Sequence, residues 1–433
     1  MTGVTLTEGG KLKTYDTFFY SQLTRQWFVH NNRGSFKPMN EGLLAKHLEL
    51  IGYEGGRGDG PNQVHEVLIQ KTLDPVTYAG PVAGRKIGLF CCGGQTILVT
   101  EPCRPLAAKT GNCGRILKWI FELCGHCETQ YQTVLSWLHF RRQAVLKGRW
   151  RHSQLIVFAG PVSCGKSFIQ NQIITPLLGG RVTRPYLFMS GRTSFNADLF
   201  SCEHLMIEDD VAARDLASRR ELGNAIKTML FNSIQHCHPK GATGFVLTPI
   251  WAISLSVNDE PENLMVIPPI DDSLSDKIIL ILCERPSVPV IQAGESEETV
   301  MLSMVQKELP IFAAFLDQWQ VPDELHEQRC GVLAYKHPTL TGQLSDLAPE
   351  STLHRIIHEV IFLNRKDQEW RGTALELQSL LSSSSLSFES RKLLSFNTAA
   401  GTYLSRLARS KAELYRKVTV RGANEWIICR QND

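Results

Sequence analysis

Gly160-Pro161-Val162-Ser163-Cys164-Gly165-Lys166-Ser167 has the G-x-x-x-x-G-K-[ST] spacing of a loop that holds phosphate. Glycines let successive backbone N–H groups turn inward on phosphate oxygens, and the start of a following helix adds its positive end. A lysine at the seventh position reaches the β- and γ-phosphates, and the serine after it ligates magnesium. These eight residues are read as a site for ATP with Mg2+. The apolar run Leu155–Ala159 before the loop reads as a strand and Phe168–Leu178 after it as a helix, the context that distinguishes a phosphate cradle from a chance strand-to-helix turn.

A phosphate cradle needs acidic groups from a neighbouring strand to hold the metal and polarise water. His204-Leu-Met-Ile207-Glu208-Asp209-Asp210 supplies an apolar run ending in three carboxylates. Asp209, with Glu208 or Asp210, is assigned to magnesium and the lytic water, and Ser167 is a second magnesium ligand. Helix capping is the bland reading of such an acidic strand end. A further strand, Trp251–Val257, ends in Asn258-Asp259-Glu260-Pro261, where Asn258 is placed to touch a γ-phosphate or orient water. An Asx-turn before Pro261 is the alternative there.

These groups must share the carboxyl edge of one sheet. Apolar runs at Leu155–Ala159, Leu205–Ile207, Ile250–Val257 and Lys277–Cys283 alternate with more polar, partly helical stretches, which is an α/β pattern. Residues 1–110 read as a mixed, strand-rich module with Trp27-Phe28-Val29 and Thr96–Thr100 as strand segments. Helical spacing runs from Gly114 to about Lys147, so 111–150 is assigned as a helical collar, 151–320 as the ATPase domain and 321–433 as a C-terminal domain. A helix is expected at about Glu298–Trp319.

Composition excludes more than it selects. Hydrophobic residues at 43% and charged residues at 21% are ordinary globular usage and argue against disordered, collagen-like and membrane classes. A net charge of +3 is too mild to diagnose a nucleic-acid partner. The N-terminal residues lack a basic-then-apolar leader, and no stretch nears the roughly 20 apolar residues that span a bilayer. A cytoplasmic, soluble protein is expected. The 12 cysteines are read as reduced thiols, and Cys124-Gly-His-Cys127, although zinc-like in spacing, sits inside a helical apolar pattern.

The ordered set Gly160–Ser167, Ile207–Asp210, Lys240-Gly241 and Asn258 resembles the A, B, B′ and C motifs of superfamily 3 helicases, a branch of the AAA+ ATPases. Among them it looks most like the poxvirus-primase-helicase type of phage, plasmid and integrated-element replication proteins. Trp27 to Asn32 with Gly52-Tyr53 looks like that family's N-terminal segment, and Glu308–Phe312 and Arg329–Pro338 look like its post-motor segments. The resemblance implies a hexameric ring with ATP between subunits and Lys240 on a hairpin facing a central channel. It also implies an arginine reaching into the neighbour's ATP. Asp276-Lys277 occupies the comparable place here, and Arg285, Arg219 and Arg220 are candidate replacements. Upstream of the motor nothing resembles a primase site, so no priming activity is expected.

Beyond about residue 352 the pattern is a helix, Trp370-Arg-Gly-Thr-Ala-Leu-Glu-Leu, a helix at about Thr398–Ala408, and strands Lys417–Val420 and Glu425–Cys429. Helices followed by a β-hairpin describe a winged helix. Arg406, Arg409, Lys411, Arg416, Lys417 and Arg421 concentrate on its last helix and wing, where they suit a DNA phosphate reader, with a solvated basic face or a protein-interaction module as alternatives. The leading expectation is an ATP-driven DNA helicase or translocase acting as a homo-oligomeric ring. A non-helicase remodelling or defence ATPase and a nucleotide-gated DNA-binding scaffold are the rivals.

Overall fold

The computed structural model describes residues 18–31, 34–56, 62–208, 216–287, 296–363, 368–420 and 423–431. The chain divides into two compact units, residues 1–337 and 338–433.

The first unit opens with an antiparallel sheet of Phe18–Ser21 (β1), Gln26–His30 (β2) and Phe36–Met39 (β3). Strand periodicity sends alternate residues to opposite faces. Phe18, Trp27 and Val29 pack on Leu44 and Leu48 of helix Glu41–Leu50 and on Val64 and Leu68 of helix Gln63–Leu73. Phe19, Phe28 and Phe36 face Val76, Ala79 and Leu98 instead. Leu98 belongs to a second small sheet made of Tyr78–Gly80 (β4), Gly88–Cys92 (β5) and Gln95–Val99 (β6).

The helical stretch after Gly114 is two helices, Gly114–Leu123 and Glu128–Lys147. They part where Gly125 and His126 take φ values of 60° and 54°, a left-handed backbone that cannot continue a helix.

The strands that follow are Leu155–Gly160 (β7), Val182–Thr183 (β8), His204–Ile207 (β9), Gln235–Cys237 (β10), Phe245–Leu247 (β11), Ala252–Asn258 (β12) and Ile278–Leu282 (β13). Five form one sheet in the order β13-β7-β12-β9-β8, every pairing parallel, while β10 and β11 make a separate antiparallel hairpin. β7 and β9 are buried at every position, which explains why they read as unbroken apolar runs: a parallel sheet covered on both faces has no solvent side. On one face Ile156, Phe158, Ile279 and Ile281 share a core with Trp119, Leu135, Ile173 and Phe312 from the covering helices. β7 connects to β8 across the two positions that β9 and β12 later fill, so the carboxyl ends of β7, β12 and β9 stand side by side.

Helix Glu297–Gln318 corrects one expectation, because by length and composition it is apolar enough to cross a membrane. Its apolarity serves the core. Met304, Val305, Leu309, Phe312 and Leu316 are buried in the same cluster, and buried Glu308 accepts from the backbone N–H groups of Arg115 and Ile116, both at 3.1 Å. Asp317, near its end, receives Arg142 Nε at 2.9 Å and Nη2 at 3.0 Å, while Arg142 Nη1 donates to Leu177 O at 3.2 Å.

The second unit holds helices Pro338–Asp346 and Pro349–Ile357, the latter continuing as π turns His358–Phe362, then helices Ala374–Ser382, Ser387–Leu393 and Ala399–Ser410. Strands Glu369–Thr373 and Tyr415–Val420 flank the central strand Ala423–Cys429 in an antiparallel sheet. Ser382 of the serine tract ends helix Ala374–Ser382, and Ser383–Ser385 lie in the turn that leads to helix Ser387–Leu393. Thr373 and Glu376 form a capping box that starts helix Ala374–Ser382 directly from strand Glu369–Thr373.

Arg142 is buried and its partner Asp317 mostly so. Removing the carboxylate strands a buried cation. Asp317→Ala is expected to lower stability by about 3 kcal/mol, read as a drop in the urea midpoint; a midpoint unchanged within error would refute this role for the pair.

Candidate functional site

The phosphate-type loop leaves β7 at Gly160, where a Cβ would collide with the Cys283 carbonyl oxygen and lie 2.9 Å from its Cβ. Gly165 has φ +103°, and a Cβ there would sit 2.8 Å from Cζ2 of Trp119 in helix Gly114–Leu123. Ser163 adds a second left-handed backbone at φ 62°. Both framing glycines are thus demanded by close approach, one to β13 and one to the collar helix. Among the residues between them Cys164 is buried, and burial pushes its thiol up, while Pro161, Val162 and Ser163 are exposed.

Lys166 is 8% exposed and spends its ammonium group on three oxygens: Gly160 O and Pro161 O at 2.7 Å, and Asn258 Oδ1 at 3.0 Å. The third contact follows from sheet register, since Asn258 pairs with Gly160 across β12 and β7. Ser167 is exposed, and a helix runs on from it as an α turn Lys166–Phe168, π turns Ile169–Ile174 and a closing α turn Thr175–Leu177.

Glu208 follows β9 directly. Because Ile207 pairs with Leu255, Glu208 emerges on the edge where Asn258 ends β12. It is half-buried and forms an ion pair with Arg184, an exposed residue just after β8. Asp209, Asp210, Arg421 and Asn32 lie outside the described residues. The structure therefore brings Lys166, Asn258 and Glu208 to one sheet edge beside the exposed Ser167.

The remaining candidates sit on other elements. Arg285 is exposed beyond β13, its Nη2 3.7 Å from Glu297 Oε2. Arg219 is buried and donates Nε and Nη2 to Ile267 O at 3.1 and 3.0 Å, so its guanidinium is committed inside its own chain. Lys240 is exposed at the tip of the β10–β11 hairpin, where Gly241 takes φ +74°. Asn196 braces that hairpin, donating to His236 O at 2.9 Å and accepting from His238 N at 2.7 Å. In the second unit Arg409 and Lys417 are exposed, Lys417 Nζ lies 5.9 Å from the Trp426 ring centroid, and Arg406 Nη1 lies 3.4 Å from Glu350 Oε2. Among the described residues no group of three or more His, Cys, Asp or Glu is placed to hold a metal ion. Cys124 is buried, and burial pushes its thiol up, which makes it inert.

Sequence reasoning missed Arg184, Trp119 and a buried polar group behind the loop. There Gln170 Nε2 donates to Ser254 Oγ at 2.8 Å, Ser254 Oγ lies 2.7 Å from His204 Nε2, and His204 Nδ1 lies 2.7 Å from Thr175 Oγ1. The available signal was a serine in the otherwise apolar run of β12 and a histidine opening the apolar run of β9.

This is the fold of a solved protein region. The apo structure of the NrS-1 C-terminal region matches 96% of this chain and 96% of its own with a TM-score of 0.55 at 13% identity. An A form of the same region gives 0.54 over the same shares, also at 13% identity. The X-ray structure of JCV helicase aligns with 55% of this chain and 61% of its own at TM-score 0.29 and 14% identity, too loose a likeness to carry weight. No protein-family model matches the sequence, and no curated protein sequence matches it.

Two outcomes test this geometry. Gly160→Ala has no room beside Cys283 and is expected to destabilise the fold by about 2 kcal/mol or to displace the loop, read by urea unfolding; a variant as stable as wild type, with its loop unmoved by crystallography, would count against the packing described. Burial pushes His204 from 6.5 down to about 3. Its folded pKa is depressed, so the unfolded chain binds the extra proton: the contribution is intact above about pH 6.5 and is lost as pH falls toward 3. Wild type should lose more stability than His204→Gln over that window, and identical pH slopes would contradict a buried neutral imidazole.

Proposed function

We propose that the chain is an ATP-dependent motor of the superfamily 3, AAA+-like kind that translocates on DNA and separates its strands. The observation that carries this reading is the three-way hold on Lys166, with Asn258 brought level with Gly160 at the carboxyl edge of a parallel sheet. Ligands of open α/β sheets bind at that edge.

Magnesium ATP fits the residues present. Gly160 and Gly165 stand where no Cβ fits, the Ser167 hydroxyl is exposed, and Lys166 has donors that a phosphate can take over from the loop's own carbonyls. Bound magnesium supplies charge neutralisation for the transferring phosphoryl group. In this chain Ser167 and Asp209 would hold it, Lys166 would meet the β/γ-phosphate oxygens, and Asn258 would contact the γ-phosphate from the neighbouring strand. Glu208 or Asp210 would orient the attacking water, with Arg184 pairing with Glu208 and holding it in place. Arg285, exposed on the chain surface, is the favoured residue to reach a neighbouring copy's ATP.

The second unit supports a nucleic-acid role. Its order of helix, strand, helices and hairpin supports a winged-helix reading, in which Arg406, Arg409 and Lys417 would meet phosphates. Lys240, on a braced exposed hairpin tip, is the residue to contact DNA inside a ring, taken as a hexamer working in the cytoplasm.

The test is steady-state phosphate release and forked-duplex unwinding by the purified chain with ATP and Mg2+. Lys166→Ala is expected to cut hydrolysis roughly 100-fold or more, and Asn258→Ala roughly 10- to 100-fold. Lys240→Ala should spare basal hydrolysis and abolish unwinding. Lys166-dependent hydrolysis stimulated by DNA but without strand separation would sink the helicase reading and leave the ATPase.

A further inference from the structure

The four buried side chains behind the loop form a closed circuit whose proton order can be worked out. Thr175 Oγ1 lies 3.0 Å from Gln170 O, which can only accept, so the threonine proton points there. Thr175 Oγ1 must then accept from His204 Nδ1, at 2.7 Å. A neutral imidazole carries one N–H, so Nε2 accepts the Ser254 hydroxyl proton, at 2.7 Å. Ser254 Oγ accepts in turn from Gln170 Nε2, at 2.8 Å. The circuit begins and ends on Gln170 with every donor pointing the same way round, an arrangement in which hydrogen bonds polarise and strengthen one another.

Two details show that this arrangement is specified. The Gln170 amide is oriented by Ile207 O, 3.4 Å from Nε2, because a flipped amide would set Oε1 against that carbonyl, which can only accept. The helix is also wound wide at this point: in the π turns Ile169–Ile174 the Thr175 N–H reaches Gln170 O, five residues back, so that the Thr175 amide and hydroxyl both meet one carbonyl. Single π turns of this kind concentrate at functional sites. The circuit carries a cost that an apolar residue would avoid, since Gln170 Oε1 is buried with no hydrogen-bond partner.

Each member sits on an element that carries a proposed functional group. Gln170 lies one turn beyond Ser167, Ser254 four residues before Asn258 on β12, and His204 four residues before Glu208 on β9. The geometry points to Gln170, Thr175, His204 and Ser254 as positioning residues that fix the loop helix against β9 and β12, and so hold Lys166, Asn258 and Glu208, further along the same elements, in register for phosphoryl transfer. None of them reaches the proposed phosphate position; they act through the elements they join. This inference rests on the ATPase reading.

The experiment compares wild type, Gln170→Leu, Ser254→Ala and the double variant in steady-state ATP hydrolysis with Mg2+, with Lys166→Ala as reference and thermal unfolding to establish that each variant is folded. Expected are a fall in kcat of about tenfold in each single variant with KM within twofold of wild type, and a double variant no slower than the worse single one, because both changes open the same circuit. Independent structural damage would instead multiply. Should Gln170→Leu fail to fold, the milder Ser254→Ala carries the comparison. Folded variants with wild-type kcat, or losses that multiply, overturn the positioning role while leaving Lys166-dependent hydrolysis intact. Absence of Lys166-dependent hydrolysis in wild type overturns the ATPase reading and this inference with it.

Discussion

The site depends on one pairing, Gly160 against Asn258 across two parallel strands. Both strands are buried on both faces, so a slip of register would force apolar side chains such as Leu255 and Val157 into places in a filled interior that do not fit them. Once the pairing exists, an asparagine amide stands level with the first residue of the glycine loop. Lys166 can then reach two loop carbonyls and that amide together. A buried lysine with fewer acceptors would leave an ammonium proton unsatisfied in a dry setting, so the same contacts that carry the proposed phosphate site also stabilise the loop in its free form.

The surrounding chain defends that pairing from several directions. Trp119 fills the space beneath Gly165 and leans on Phe168, with ring centroids 5.3 Å apart, so the collar helix limits how far the loop can sink. Arg142 ties the far end of the loop helix, at Leu177 O, to Asp317. Further out, fully buried Glu203 pairs with Arg181 and accepts from the backbone N–H of Gly84 at 2.8 Å, joining the segment before β9 to the N-terminal module. Backbone bonds from Ala83 N to Phe200 O at 2.7 Å and from Ile250 N to Ala83 O at 3.0 Å extend the same junction. The N-terminal strands are therefore built into the frame that holds the sheet.

How much of this was legible follows from the range over which each interaction acts. The glycine loop was readable because its chemistry is local: the two glycines, the lysine and the serine all lie within eight consecutive residues. The buried strands were readable because a parallel sheet demands continuous apolar runs. Asn258 was identified from its place after such a run, although its contact with Lys166 depends on sheet order. Arg184 was invisible for that reason: it meets Glu208 only because the two-residue strand β8 pairs with β9, and two residues carry no periodic signal. Strand Glu369–Thr373 was missed because as a sheet edge it has no fully buried position, so its sequence has no apolar face to show. The break at Gly125-His126 was missed because apolar spacing on both sides kept the helical period.

The buried polar circuit marks the limit of pattern reading, and the reason is physical. Ser254 and His204 occupy positions where burial alone predicts valine or isoleucine, and a periodicity argument discounts them as tolerated exceptions. Desolvating a hydroxyl and an imidazole is costly, and the cost is recovered only when every donor and acceptor is matched across three elements that are distant in sequence. Polar residues inside an apolar run of a fully covered strand therefore call for partners on whatever packs against that strand. Here the partners are on the helix that begins at Lys166. That helix cannot rise, rotate or rewind its π turns without opening the circuit, and β9 and β12 cannot slide against it without doing the same. Stability within the sheet and placement of Lys166 are in this way one constraint, imposed by four side chains that never reach the loop's surface.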